Sequence, residues 1–276
     1  LCANTTASYN TAVGLASMLK NTEGHSNTAV GLYSLACNTT GDAHIAIGYE
    51  ALLNNTTADC NVAVGCKAMR ANTTGANNTA VGTNALTANT TGGLNTALGE
   101  SALLSNTTAS YNVAIGREAA KATTTGWGNV AIGHQTFIAN TTGEKNTAVG
   151  INALAANTTA HENTAVGRNA LTANTTGANN VAHGAYALTA NTTGAENTAV
   201  GKDALKLNVG AIQNTAVGTS ALRDNTTGAC NTAVGFNSLV QSTTSSSNTA
   251  VGRETLFSNT TGGGLTALGE GSLACN

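Results

Sequence analysis

Several residue types on which globular domains depend are scarce in this sequence. Charged residues make up 9% of the chain, aromatic residues make up 3%, and proline is absent. In typical soluble domains about 25% of residues are charged. Only 11 lysines and arginines are present, which excludes the basic surface of a nucleic-acid-binding protein. A compact enzyme would carry more titratable and more large apolar residues, so we expect neither an enzyme nor a cofactor.

Long hydrophobic runs and a large net charge are missing as well. No apolar segment approaches the ~18 residues of a membrane helix, and we expect no signal peptide at the start of this sequence. Intrinsic disorder usually combines low hydrophobicity with high net charge. Here hydrophobic residues reach 41% and the net charge is −2. We therefore expect an ordered chain that does not insert into a membrane.

The sequence instead consists of one phrase repeated at a fixed interval. Residues 10–14 read NTAVG, and the closing glycine of this phrase recurs without a slip from Gly14 to Gly269, sixteen times in all. The consensus of the 17-residue repeat is NTAVGxxALxANTTGxx. Sixteen repeats and four further residues account for all 276 residues. The sequence therefore predicts a single uninterrupted repeat array over residues 1–276, with no second domain.

We number the positions of the repeat as columns 1 to 17, starting at the Asn of NTAVG. Column 3 is Ala in every copy, column 4 is Val, Ile or Leu except at His183, and column 9 is nearly always Leu or Met. Columns 1–5 predict a short strand, and columns 7–10 predict a second one with Leu inward. The Asn-Thr-Thr-Gly of columns 12–15 predicts a type I turn.

These features predict an all-β fold, a parallel β-solenoid (β-roll) of 16 coils in which each coil is one 17-residue repeat. A helix is disfavoured because each copy has Gly at column 5 and usually at column 15. All 24 charged residues fall in columns 6, 7, 10, 11, 14, 16 and 17. Since an unpaired buried charge is costly, the other columns are expected to be interior or stacked.

A single coil has a thin core, which predicts lateral association of two or three chains. The small residues of columns 3 and 5 are expected to allow close backbone approach, and we predict a parallel, in-register assembly, a homotrimer. The chain starts at column 9 and stops at column 12 without a polar capping coil. Neither end is therefore expected to be a natural terminus, and we predict further coils or end-to-end stacking into a filament.

The repeat resembles those of known fibre proteins. The NVAIG phrases at residues 112–116 and 129–133 resemble the SVAIG repeat of trimeric autotransporter adhesin heads. The unit NTAVGINALAANTTAHE at residues 146–162 looks like the repeat of phage long tail fibres and related bacterial surface proteins. The resemblance implies a left-handed β-roll, often trimeric, in a fibre on a cell surface or virion. Adhesin-head repeats are somewhat shorter, so the coil shape is expected to differ.

The titratable residues show no repeating catalytic or metal-binding pattern. The five histidines share neither a ladder nor a metal-ligand spacing; they are His25, His44, His134, His161 and His183. We interpret His183 as a tolerated core or hydrogen-bonded residue, with a pH-sensitive or metal role at a trimer axis as the alternative. No catalytic, cofactor or metal site is predicted.

The cysteines and the lone tryptophan also lack a pattern that indicates a site. No two cysteines occupy the same column of adjacent coils, so none is expected to stack within disulfide distance of another; they are Cys2, Cys37, Cys60, Cys66, Cys230 and Cys275. We interpret them as structural thiols, with bridges between chains as the alternative. Trp127, on an outer turn, is interpreted as a single exposed aromatic residue.

Twelve Asn-Thr-Thr triplets match the acceptor pattern for N-linked glycans. The candidate acceptors are Asn4, Asn38, Asn55, Asn72, Asn89, Asn106, Asn140, Asn157, Asn174, Asn191, Asn225 and Asn259. The alternative is a turn with stacked amides and hydroxyls. The predicted function is a structural component of an extracellular, cell-surface or virion fibre, with host-surface or glycan contacts. An adhesin head or an ice-binding module with an Asn/Thr-rich face is the alternative.

Overall fold

The computed structural model describes residues 3–275 of the chain. Among them are sixteen three-residue strands and no helix, and hence no helix able to cross a membrane. The predictions made for Leu1, Cys2 and Asn276 lie outside these residues. Each strand occupies columns 2–4 of one repeat, which confirms the all-β parallel solenoid with one 17-residue repeat in each coil.

The strands follow one another at the constant interval of the repeat. They are β1 (Thr11–Val13), β2 (Thr28–Val30), β3 (Ile45–Ile47), β4 (Val62–Val64), β5 (Thr79–Val81), β6 (Thr96–Leu98), β7 (Val113–Ile115), β8 (Val130–Ile132), β9 (Thr147–Val149), β10 (Thr164–Val166), β11 (Val181–His183), β12 (Thr198–Val200), β13 (Thr215–Val217), β14 (Thr232–Val234), β15 (Thr249–Val251) and β16 (Thr266–Leu268).

The chain divides into two compact units, one ending at Thr142 and one beginning at Gly143. The first unit contains β1–β8 and the second contains β9–β16. Within each unit every strand pairs in parallel with the next, and like columns face each other: Ala63 pairs with Ala80, and Ala165 pairs with Ala182. A register shift of one residue would reverse which side chains face inward.

The strand residues alternate between the interior and the surface. The middle alanine is fully buried in all strands except the first and last, whereas the residues before and after it are half-exposed or exposed. Charge-free columns were expected to be interior or stacked, and columns 2 and 4 are stacked in register but lie at the surface rather than in the interior. The expected association face of column 3 alanines is wrong, because those side chains point into the coil.

Columns 7–10 form turns, so the predicted second strand is wrong. The residues of columns 7 and 9 have left-handed φ angles, as at Lys67 (57°) and Met69 (48°), which is incompatible with an extended strand. Coils still bond there: the Met69 N–H donates to the Ala85 carbonyl at 3.0 Å, and the Lys67 N–H donates back to the Tyr49 carbonyl at 2.8 Å. The inward orientation predicted for column 9 is confirmed, since its Leu, Met and Phe side chains are fully buried in the coils from Met18 to Leu256.

Asparagine amides of column 12 form a buried ladder. The Asn89 amide nitrogen donates to the Asn72 side-chain oxygen at 2.8 Å and to the Gly92 carbonyl at 2.9 Å. The second bond closes the Asn-Thr-Thr-Gly bend through a side chain. The Thr90 hydroxyl donates to the Thr107 carbonyl at 3.1 Å. The stacked amides and hydroxyls expected of these triplets are confirmed.

A second amide ladder occupies column 1 and meets the first at a shared carbonyl. The Asn78 side-chain oxygen accepts the Asn95 N–H at 2.9 Å, and its amide nitrogen donates to the Gly92 carbonyl at 2.9 Å. That carbonyl also accepts the Asn89 amide. Each coil is thus bound to the next through side chains as well as backbone.

The column 12 ladder is interrupted where asparagine is replaced. Thr123 and Ser242 occupy column 12 in their coils, and both are buried. The Asn106 and Asn225 side-chain oxygens, one coil earlier, are buried and accept no hydrogen bond from the described residues. Each substitution therefore leaves one acceptor unpaired.

Glycine at column 5 allows the backbones of adjacent coils to approach each other. At Gly116 φ is +128°, and a Cβ atom there would lie 2.5 Å from the Gly133 carbonyl oxygen. The obstacle is backbone, which cannot rotate away. Glycine is required here for both conformation and space.

Replacing Gly116 with alanine should therefore lower the free energy of unfolding by about 3 kcal/mol or more, since backbone strain and overpacking add. The control is Gly210→Ala, at column 14, where the new Cβ would meet only the Thr193 hydroxyl at 3.1 Å. That variant should stay within about 1 kcal/mol of the parent. Guanidinium unfolding followed by far-UV circular dichroism measures both, and equal losses would contradict the account.

Candidate functional site

The exposed side of the parallel sheet is the most distinctive surface of each unit. We call it the outer sheet face, and it consists of the column 2 and column 4 side chains. Val13 is 56% exposed, Leu98 45% and Ile47 39%. Column 2 contributes Thr, Val and Ile. None of these side chains is buried in the described chain, so a row of branched aliphatic and threonine side chains faces outward, interrupted by His183 in column 4.

Charged side chains flank this face without entering it. In columns 6, 7 and 10, Arg117 lies 3.3 Å from Glu100, and Lys121 lies 2.9 Å from Glu118. Hydrogen bonds from Lys121 and Gln135 lower the pKa of Glu118 to about 2. The Arg117–Glu100 pair is exposed and the Lys121–Glu118 pair is half-buried; pairs accessible to solvent contribute little to stability individually. They show that neighbouring columns tolerate charge readily, whereas columns 2 and 4 contain none.

The candidate glycan acceptors are mostly inside the coils. Eleven of the twelve asparagines are buried, and only Asn4 is exposed. Their amide nitrogens donate within the ladder, as at Asn174, which bonds Asn157 at 3.1 Å and Gly177 at 2.9 Å. A glycan on a buried amide is incompatible with this fold, so the described structure leaves Asn4 as the accessible acceptor. The surface threonines of column 14, such as Thr91, are exposed.

The histidines are dispersed, and His183 is not a core residue. Its side chain is exposed on the outer sheet face, so the interpretation as a core histidine is wrong. His25 and His161 each accept a backbone N–H from the preceding coil, and His134 lies 3.4 Å from Arg117. Within residues 3–275 no group of three or more His, Cys, Asp or Glu side chains is placed to hold a metal ion.

The five described cysteines are unpaired, as their spacing predicts. Cys37 is half-buried, and the other four are exposed: Cys60, Cys66, Cys230 and Cys275. Cys2 lies outside the described residues. Trp127 is 41% exposed, which confirms its interpretation as a surface aromatic residue.

His44 replaces asparagine in the buried column 1 ladder. Its Nδ1 atom accepts the Asn61 N–H at 3.2 Å, so the proton of the neutral ring resides on Nε2, which donates to the Ala58 carbonyl at 2.6 Å. The backbone N–H of His44 donates to the side-chain oxygen of Asn27 at 2.9 Å. Burial lowers the pKa of His44 and outweighs the opposing bond to Ala58 and the charges of Asp59 and Asp42. A second ring proton, on Nδ1, would point at the Asn61 N–H, which is itself a donor, so the charged ring would lose this hydrogen bond.

The buried His44 should make folding sensitive to mild acid. Because its pKa is lowered in the folded chain, the unfolded chain binds the proton first as the pH falls below about 6.5. The stability contributed by the neutral ring is thus present above about pH 6.5 and is lost as the pH falls towards the folded-state pKa, by at most about 1.4 kcal/mol per pH unit. Urea unfolding at pH 7.5, 6.5 and 5.5 measures the loss.

His44→Asn restores the column 1 residue and should remove this component of the pH dependence. His161→Asn, which changes an exposed histidine, is the matched control and should retain the slope of the parent. An unchanged slope in His44→Asn would refute the role of the buried ring.

One feature of the surface was missed by sequence reasoning. The outward orientation of columns 2 and 4 was missed because branched aliphatic residues suggest a core; their complete lack of charge, in contrast to columns 6 and 7, was compatible with either side. Comparisons of the chain with protein-family models, with curated proteins and with solved structures found no match.

Proposed function

We propose that this chain is a structural component of an extracellular, cell-surface or virion fibre, in which copies associate side by side through the outer sheet face. One observation carries the proposal. Columns 2 and 4 are as accessible as several charged columns, yet none of the 24 charged residues lies in them. Exposed columns without charge are typical of surfaces that a partner protein covers, because a charged side chain there would be buried on association at a high cost in free energy.

The occupant that fits this face is a second copy of the same chain. The face repeats once per coil, at the ~4.8 Å spacing of adjacent strands. A parallel copy in register presents the same repeat, so each branched side chain meets an equivalent partner along the whole unit. A globular partner would lack this periodicity and would leave much of the row exposed.

The resemblance to adhesin heads and tail fibres supports three chains, related by an axis parallel to the solenoid. Such an assembly would bury the outer sheet face of each chain and leave the charged columns 6, 7, 10, 11, 14, 16 and 17 at the surface. Its function would be length, stiffness and display of the outer turns towards host surfaces or glycans. Within each unit the repeated coils suit this role, because each coil contributes the same rise and nearly the same set of bonds to the next.

The intact chain should sediment as an oligomer, and Ile115→Asp together with Ile132→Asp should convert it to a monomer. In the assembly these carboxylates would be buried beside one another, which costs several kcal/mol. Sedimentation velocity in 0.15 M salt measures the change, and circular dichroism checks that the variant remains folded.

The control pair is Thr108→Asp with Thr125→Asp, which adds the same charge in exposed column 14. These carboxylates should leave the oligomer intact. A monomeric parent chain would overturn the proposal. Equal dissociation by the control pair would show that added charge, rather than this face, determines assembly.

A further inference from the structure

Four of the 11 cationic side chains lie on neighbouring coils of the second unit. They are Arg168 and Lys202 in column 6, and Lys206 and Arg223 in column 10. The carboxylates among them are Asp203, which lies 3.0 Å from Lys206 and 3.8 Å from Lys202, and Asp224, which lies 2.7 Å from Arg223. Within columns 6 to 11 of these coils, four positive and two negative charges leave an excess of +2, in a chain whose total is −2; Glu196 of the same coils lies in column 17.

Arg168 differs from the other arginines of column 6. Arg117 lies within 4.0 Å of Glu100 and Glu118, and Arg253 lies within 3.3 Å of Glu254 and Glu270. Arg168 forms no ion pair with any described residue, and its side chain is exposed. Its charge is therefore not neutralised by the chain itself.

The ring of Tyr186 contacts two of these cations, Arg168 and Lys206. The Arg168 guanidinium carbon lies 5.6 Å from the ring centroid, and the Lys206 ammonium nitrogen lies 5.4 Å from it. These distances are those of cation–π interactions, which fix a cation without neutralising it. Lys202 is exposed two coils beyond Arg168, a separation of about 10 Å along the solenoid. We call Arg168, Tyr186, Lys202 and Lys206 the Tyr186 cluster.

We propose that the Tyr186 cluster binds an acidic polysaccharide, with carboxylate or sulfate groups on Arg168 and Lys202. A guanidinium that forms no ion pair within the chain can bind a carboxylate or sulfate through two parallel N–H···O hydrogen bonds. Two exposed cations in line along the coils suit an extended polymer with widely spaced charges.

An acidic polysaccharide fits better than a nucleic acid. Duplex DNA carries one charge per about 1.7 Å, far denser than an excess of +2 can match. The cluster is also bordered by hydroxyl groups. Thr172 and Thr189 lie in column 10 of adjacent coils, and their hydroxyls donate to backbone carbonyls, leaving oxygen lone pairs for sugar hydroxyls.

A single cluster would bind weakly, and several copies on one fibre would bind one polymer by multivalency. The inference goes beyond the proposed fibre function and does not depend on it, because the cluster lies within one chain. A monomeric chain would retain the site, so failure of the assembly proposal and failure of this one are distinguishable.

The test is binding of fluorescently labelled oligosaccharides to the intact chain at low ionic strength. The probes are a sulfated chondroitin oligosaccharide, a carboxylated alginate oligosaccharide, neutral dextran and a DNA duplex of similar length. We expect both acidic saccharides to bind, dextran not to bind, and the duplex to bind more weakly than either acidic saccharide. Arg168→Gln with Lys202→Gln should weaken saccharide binding about tenfold, roughly 1.4 kcal/mol.

The matched control is Arg117→Gln with Arg253→Gln, which removes two column 6 arginines that already have carboxylate partners. It should leave saccharide affinity within about twofold of the parent. Circular dichroism confirms the fold of each variant. Equal weakening by the two pairs, absence of acidic-saccharide binding, or tighter binding of the duplex would each overturn the proposal.

Discussion

Nearly every coil of this protein carries a buried asparagine in each of columns 1 and 12, and their amides pair with groups that the backbone leaves unsatisfied. Asn78 and Asn89 donate to the same Gly92 carbonyl, and each also bonds its counterpart in an adjacent coil. An unpaired buried amide costs more than a bond to it contributes. The amides therefore require like columns to lie above one another, which fixes the length of the coil at one repeat.

This constraint accounts for the rest of the cross-section of the coil. Two rows of amides, one row of leucines and the small residues of column 8 fill the interior, which accounts for the alanine of column 3. The larger strand residues, such as Val64 and Ile115, must then face outward. The outer sheet face is thus a consequence of a narrow polar interior, and its lack of charge supports a partner surface. The same register places Arg168, Tyr186 and Lys206 beside one another, although they belong to three successive coils.

Much of this architecture could be predicted from the sequence. The period of the repeat, a strand within columns 1–5 and the inward column 9 all follow from the repeated phrase; the strand itself occupies columns 2–4. Which side of the strand faces inward could not be predicted, because Ala63 and Val64 are both apolar and the interior width depends on the amide ladders. The turn at Lys67 and Met69 was missed because residues other than glycine rarely adopt left-handed φ angles. The hydrogen bonds of the buried His44 could not be predicted either. Its ring bonds the carbonyl of Ala58 in column 15, and the position of that carbonyl depends on the bend of columns 12–15.

If amide ladders hold the coils together, restoring an amide at Thr123 should raise the free energy of unfolding. Thr123→Asn places an amide beside the unpaired Asn106 oxygen and the Gly126 carbonyl. The measurement is the free energy of unfolding of this variant relative to Thr125→Asn, which adds asparagine at exposed column 14. The account predicts a gain of about 1 kcal/mol for Thr123→Asn and a change within about 0.5 kcal/mol for Thr125→Asn. No gain at Thr123, or an equal gain at Thr125, would contradict it.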